Sequence, residues 1–171
     1  MRRLYLFRHA KAEPHGARPD HERVLDKRGR RDAAAMGERL AGRGDIVDLA
    51  LCSTSARTLE TWRLAGVAFA PAPPMREEGR IYEAPAEQLL EVVRGAPADA
   101  ERLMLVGHNP GFEDLVGLLA DRTSARRWSK AGGSMPTAAV AVLEADAAGW
   151  RDVGPGSMRL VDFLSPKDED A

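Results

Sequence analysis

The 171-residue chain predicts a three-layer α/β/α sandwich around a mostly parallel sheet, and three observations carry that prediction. Short continuous apolar runs mark strands covered on both faces. Amphipathic stretches with helical spacing separate those runs, the alternation of an α/β fold. The length suits one domain, at roughly 150 residues per domain. A domain over residues 1–164 is expected, followed by a polar, acidic tail at 165–171.

The first strand is the run Leu4 to Phe7. A loop over Glu13 to Asp20 follows, punctuated by Pro14, Gly16 and Pro19. Ala33, Met36 and Leu40 then share one helical face. Ile46 to Leu51 reads as the second strand, with Leu59, Trp62 and Ala65 on the helix after it. Ala70 to Pro74 is a proline-rich connector. Leu89, Val92 and Val93 form a helical stripe ahead of Gly95, a helix stop. Leu103 to Val106 is the next buried strand. Phe112, Leu115, Val116 and Leu119 make the clearest helical stripe, with Asn109 as its N-cap and Pro110 as its first residue. Ala138 to Leu143 and Met158 to Phe163 complete the strands. Trp62, Trp128 and Trp150 are expected in the core, and Arg126–Arg127 on a solvated face.

Charge and composition exclude several classes of function. Lys plus Arg is 25 against 26 for Asp plus Glu, a net charge of −1. That balance disfavours a nucleic-acid binder, whose affinity comes from many phosphate-neutralising cations. Twenty-one of the 25 cations are arginine, scattered and not striped. The single cysteine, Cys52, cannot make an intramolecular disulfide or a zinc ribbon. His9, His15, His21 and His108 show no zinc-type spacing. No run approaches the ~20 apolar residues of a membrane-spanning helix, and the apolar start is too short for a signal peptide. A cytoplasmic protein without membrane or nucleic-acid partners is expected.

Three strand-to-helix junctions carry the chemistry. Arg8-His9-Ala10 follows the first strand, where open α/β sheets place their ligands. Gly107-His108-Asn109-Pro110-Gly111 follows another, which sets His108 beside the unpaired N–H groups of a helix N-terminus. That segment reads equally as an anion site or a plain capping turn. The third junction is Cys52-Ser53-Thr54-Ser55-Ala56-Arg57-Thr58. Ser55 can cap a helix there, but Arg57 in the first turn opposes the helix dipole. An anionic ligand would account for it.

These residues resemble the signatures of the histidine phosphatase superfamily. Leu6-Phe7-Arg8-His9-Ala10 is similar to its Arg-His-Gly element, with Ala10 in the glycine position. Ser55-Ala56-Arg57-Thr58-Leu59-Glu60-Thr61 resembles the segment of its second arginine, and Gly107-His108-Asn109-Pro110-Gly111 that of its second histidine. The short chain, Arg-His-Ala-Lys at its front and Pro136-Thr137-Ala138-Ala139 near its end resemble the SixA-like phosphohistidine phosphatase branch. The resemblance implies a phosphoglycerate mutase-like fold and a metal-independent phosphatase without a cofactor. It implies His9 as the nucleophile, with Arg8, Arg57 and His108 binding the phosphoryl group.

A leaving alkoxide also needs a general acid. Asp20, three residues before Arg23-Val24-Leu25, matches an aspartate of the SixA-like pattern and is preferred to Glu83. The expected substrate is phosphohistidine in a protein, because an imidazole leaves with little help and a short chain leaves room for a protein side chain. A general phosphomonoesterase acting on a small metabolite is the alternative, and a phosphate-binding module without turnover is the third reading.

Overall fold

A computed structural model describes residues 1–166 of the chain. Strand β1 (Arg2–Arg8) lies inside the sheet, and its side chains alternate between two cores. Leu4 and Leu6 enter one apolar cluster while Tyr5 and Phe7 enter the other, so both faces need cover. Helices α1 (Lys27–Gly42) and α2 (Ala56–Gly66) cover the Tyr5 and Phe7 face through Ala33, Met36, Leu40, Trp62 and Ala65. Helices α3 (Ala86–Arg94), α4 (Gly111–Leu119) and α5 (Arg122–Lys130) cover the other through Leu89, Val93, Phe112, Leu115 and Trp128. The result is the expected three-layer sandwich. Its accessible surface of 8247 Å² matches the ~8,200 Å² of a folded monomer this size.

The remaining strands are β2 (Leu49–Cys52), β3 (Met75–Glu77), β4 (Arg102–Gly107), β5 (Val140–Ala145) and β6 (Arg159–Leu164). The sheet runs β3-β2-β4-β1-β5-β6. The pairs from β3 to β1 are parallel, while β5 pairs antiparallel with β1 and β6 antiparallel with β5. Register fixes the geometry that matters here. Arg8 lies opposite Gly107, and Cys52 opposite Val106, so the carboxyl ends of β1, β4 and β2 finish level and side by side.

Local chemistry sets the helix starts. Asp26 accepts from Gly29 N–H at the head of α1, and Ser55 accepts from Thr58 N–H at the head of α2. The two helices press together at Gly37, where a Cβ would collide with the Ala65 backbone. All three tryptophans are buried. Arg126 and Arg127 are exposed, although Arg127 also reaches the Leu160 carbonyl.

Several expectations shift. The strand expected from Ile46 begins at Leu49: Ile46 is 53% exposed, and the Asp48 carboxylate accepts from the Arg102 N–H and guanidinium. Strand β3 and helix α5 are not among the expected elements. The former is three exposed residues at an edge, and the latter buries only Ser124 and Trp128. Helix α4 begins at Gly111 behind Pro110, and the Asn109 side chain does not cap it. Its amide donates to the Met135 carbonyl instead. Within the segment expected as a tail, Ser165 is buried and accepts from Arg39 Nη1, while residues 167–171 lie outside the described residues. Among the described residues no helix is long and apolar enough to cross a membrane.

Candidate active site

The level carboxyl ends of β1, β4 and β2 deliver His9, His108 and Ser53, and the first turn of α2 delivers Arg57. The four side chains expected to converge do so. Arg8, His9, Arg57 and His108 line one open cavity of about 640 Å³, joined by Asp20 and Glu83.

His9 is buried, and its ring is fixed through one nitrogen. Nδ1 lies 2.7 Å from the Ala10 carbonyl, which can only accept, so Nδ1 carries the proton and donates. The Nε2 lone pair is left free, the form a nucleophilic imidazole needs. Burial, with Arg8, Arg57 and His108 nearby, pushes the His9 pKa down to about 3 and keeps the ring neutral. Ala10 serves in the glycine position because its backbone stays out of the left-handed region. Its N–H donates to Thr61 Oγ1, which in turn donates to the Arg57 carbonyl. On the other side Ala138, itself at φ 63°, donates its N–H to the His9 carbonyl. The Pro136–Ala139 segment therefore clasps the His9 backbone.

His108 stands 5.4 Å from His9, ring centre to ring centre. Its Nδ1 faces Arg57 Nη2 at 3.4 Å and must accept, because a guanidinium only donates. The ring proton is then on Nε2, which donates to the fully buried Ser53 Oγ at 2.8 Å. Burial first, and then Arg57, push the His108 pKa down to about 3, so this ring too is neutral in the unliganded site.

The two arginines are incompletely partnered. Arg8 Nη1 donates to the Met135 carbonyl, the acceptor it shares with Asn109, and no carboxylate of the described residues bridges it. Burial lowers its pKa. Arg57, 5% exposed, donates from Nη1 to the Asp20 carbonyl and from Nη2 to Asp20 Oδ2. The Nε–H of each arginine is buried without an acceptor. Among the described residues, three of the four buried side-chain polar atoms without a hydrogen bond belong to this site: these two and Asn109 Oδ1. Buried donors ordinarily find acceptors, so an arrangement that withholds them suits an anion.

Asp20, the expected general acid, stands among hydrogen-bond donors. Tyr82 Oη donates to Oδ2 at 2.5 Å, Arg57 shares that oxygen, and Arg23 binds Oδ1. The Tyr82 hydroxyl first, and then the two guanidiniums, hold the carboxyl well below the usual carboxylate range. The Tyr82 hydroxyl is pushed up to about 12, chiefly by burial. Glu83 lines the cavity, exposed, with its backbone at φ 52°. Cys52 is buried, and burial pushes its thiol up to about 12.

Ser53, Tyr82 and Met135 are site residues that the sequence reading did not assign. Ser53 sits inside the Cys52–Thr58 junction already singled out, and Tyr82 is next to Glu83, so their proximity was a signal. The Met135 carbonyl had none, because a backbone acceptor leaves no trace in residue type.

The model of the histidine phosphatase superfamily (branch 1) matches residues 4–89. An uncharacterised Mycobacterium tuberculosis protein, Rv1276c, is 34% identical over 166 residues, covering 94% of this chain and all of that one. A structure from Nakamurella multipartitia, described as a candidate phosphohistidine phosphatase SixA, superposes with a TM-score of 0.82 at 30% identity and covers 96% of each chain. One from Agrobacterium tumefaciens, described in the same terms, gives 0.81 at 30% identity, covering 96% of this chain and 98% of that one.

Proposed function

The chain belongs to the histidine phosphatase superfamily, in its SixA-like branch, and from that premise we propose that it hydrolyses phosphohistidine in a protein with His9 as nucleophile. The observation that carries this reading is the fixed tautomer of His9, with its free Nε2 among Arg8, Arg57 and His108. In the first step Nε2 attacks phosphorus, the Nε2–P bond forms, and the P–N bond to the substrate imidazole breaks. That leaving nitrogen takes up a proton. In the second step water attacks phosphorus, the Nε2–P bond breaks, and inorganic phosphate leaves with one proton released to solvent. Charge on the transferring group spreads over its equatorial oxygens, and the forked donors of Arg8 and Arg57 match them. The guanidiniums supply the counter-charge, and the reading includes no metal ion or cofactor.

Asp20 bears on the substrate. As an ionised carboxylate tied to three donors it orients Arg57, and a resting general acid needs a raised pKa instead. A leaving imidazole needs far less protonation than an alkoxide, which favours phosphohistidine over alkyl esters. The related candidate phosphohistidine phosphatases at 30% identity support the same choice.

The test compares kcat/KM on a phosphohistidine protein with kcat/KM on simple phosphomonoesters, and traps the phosphoenzyme by rapid quench into alkali, where phosphohistidine survives. We expect the protein to be favoured and trapped phosphate to vanish in His9→Ala. A large preference for the esters rejects the substrate, and an undiminished phosphoenzyme in His9→Ala rejects the nucleophile.

A further inference from the structure

The cavity floor is cationic, but its mouth is not. The basic side chains near the rim lie beside carboxylates: Lys11 is 3.9 Å from Asp26, while Arg23 at 3.1 Å and His15 at 3.6 Å share Asp20 with Arg57. Two carboxylates at the mouth have no such partner. Glu83, on the turn before α3, and Asp114, in the first turn of α4, are exposed and line the cavity. Neither has a cation within ion-pair distance among the described residues. Below them Arg57, with only 6% of its side chain exposed, keeps an unpartnered Nε–H. A ligand is therefore held by its anionic end at the floor, and whatever extends from that end passes two carboxylates that have no ion-pair partner, on the wall where the Glu83 turn meets the start of α4.

Resting on the proposed phosphatase reading, we infer that Glu83 and Asp114 select for substrates with a positive charge beside the phosphoryl group and reject those with a second anion. In a polypeptide this means lysine or arginine flanking the phosphorylated residue. Among metabolites it disfavours phosphorylated carboxylates and bisphosphates. Two carboxylates within several ångströms of a substrate charge, in an open and partly screened mouth, give a discrimination of roughly tenfold between opposite charges.

The experiment measures kcat/KM for two matched pairs on the same preparation. One pair is a phosphohistidine peptide flanked by lysines and the same peptide flanked by glutamates. The other is phosphoethanolamine and phosphoglycolate, alike in size and opposite in the charge they add. The cationic member of each hydrolysed pair should lead by about tenfold in dilute buffer, and the lead should shrink as salt is raised. In Asp114→Asn and Glu83→Gln the ratio should fall towards one. A ratio is insensitive to loss of folded enzyme, so a partly unfolded variant still reports. Equal rates within each hydrolysed pair, a lead for the anionic member, or a ratio unchanged in both variants overturns the inference. If both peptides are inert while the esters turn over, the protein-substrate reading fails, and the ester ratio still decides the inference.

Discussion

The two ends of the sheet use the same side chain in opposite ways. At the amino end Arg3 bridges Glu144 at 2.7 Å and Asp45 at 3.2 Å, and Tyr5 Oη donates to Asp45 as well. Hydrogen bonds to Tyr5 and Glu144 raise the Arg3 pKa against the opposing pull of burial. At the carboxyl end Arg8, on the same strand, has a carbonyl for a partner and no bridging carboxylate among the described residues, and burial lowers its pKa. The amino end is a closed network that holds loops together. The carboxyl end is left electrically incomplete, and that incompleteness is what makes it a site for an anion.

Exchanging the two arginines for alanine gives the sharpest test of that contrast. Arg8→Ala removes a poorly compensated cation, so stability should stay within about 1 kcal/mol, while kcat/KM should fall by roughly 10²–10³-fold. Arg3→Ala should leave kcat/KM within about twofold and cost about 1–3 kcal/mol, because the buried Asp45 carboxylate loses a donor. Urea unfolding and steady-state kinetics on both variants decide it. The contrast breaks if Arg3→Ala impairs turnover as deeply as Arg8→Ala does.

Within the site Asp20 borrows the amino end's device, a carboxylate tying down an arginine. If its work is to orient Arg57, Asp20→Asn should slow an alkyl phosphomonoester and phosphoramidate by the same factor, on the order of tenfold. A general acid would be missed far more by the alkyl ester, whose leaving group needs the proton. Unequal losses on the two substrates would restore Asp20 to the role of acid.

The site histidines and the buried tyrosines answer pH from opposite sides, Tyr82 in the site acting in the same direction as Tyr5 at the amino end. His9 and His108 fold with pKa values near 3, below the ~6.5 of an unfolded histidine. Between those values the unfolded chain binds more protons, so stability rises with pH across the window and is lost as pH falls from about 6.5 to 3. Tyr5 at the amino end is pushed up to about 12, so the folded chain keeps its proton longer and stability is lost as pH climbs past 10. Replacing His9 and His108 together by glutamine should flatten the acid limb by up to about two protons. Thermal or urea unfolding from pH 4 to 8 reads this directly. A limb as steep as in the unaltered protein would mean other groups carry it.

Legibility followed the same division. The buried strands β1 and β4 announce themselves as apolar runs, and Ser55 caps α2 as its residue type suggests. Arg57 stood out because it sits where helix electrostatics disfavours a cation, and that local cost marked a site. Asn109 misled for the opposite reason: its side chain is a good cap in isolation, but the Met135 carbonyl claims it. The short edge strand β3 and the polar helix α5 bury too little to leave an apolar stripe, and the Asp121 cap of α5 was the one local signal there. The ionised state of Asp20 depends on Tyr82, 62 positions away, and no local rule brings them together.

The smallest expected effect separates the ends most finely, because it compares one buried hydrogen-bonding side chain at each end. Thr61 Oγ1 receives the Ala10 N–H at 3.0 Å and donates to the Arg57 carbonyl at 2.7 Å, linking the residue that orients His9 to the helix that carries Arg57. Trp150 Nε1, near the amino end, donates to the Ala100 carbonyl at 2.6 Å. Thr61→Val and Trp150→Phe each leave one buried backbone group unpaired, at a cost of about 1–3 kcal/mol. Only Thr61→Val should lower kcat, by roughly three- to tenfold, with KM nearly constant. Thr61→Ser should recover most of it by restoring the hydroxyl. If Trp150→Phe moves kcat as far, or if Thr61→Ser fails to recover it, then Thr61 is ordinary packing and the His9 tautomer is held without it.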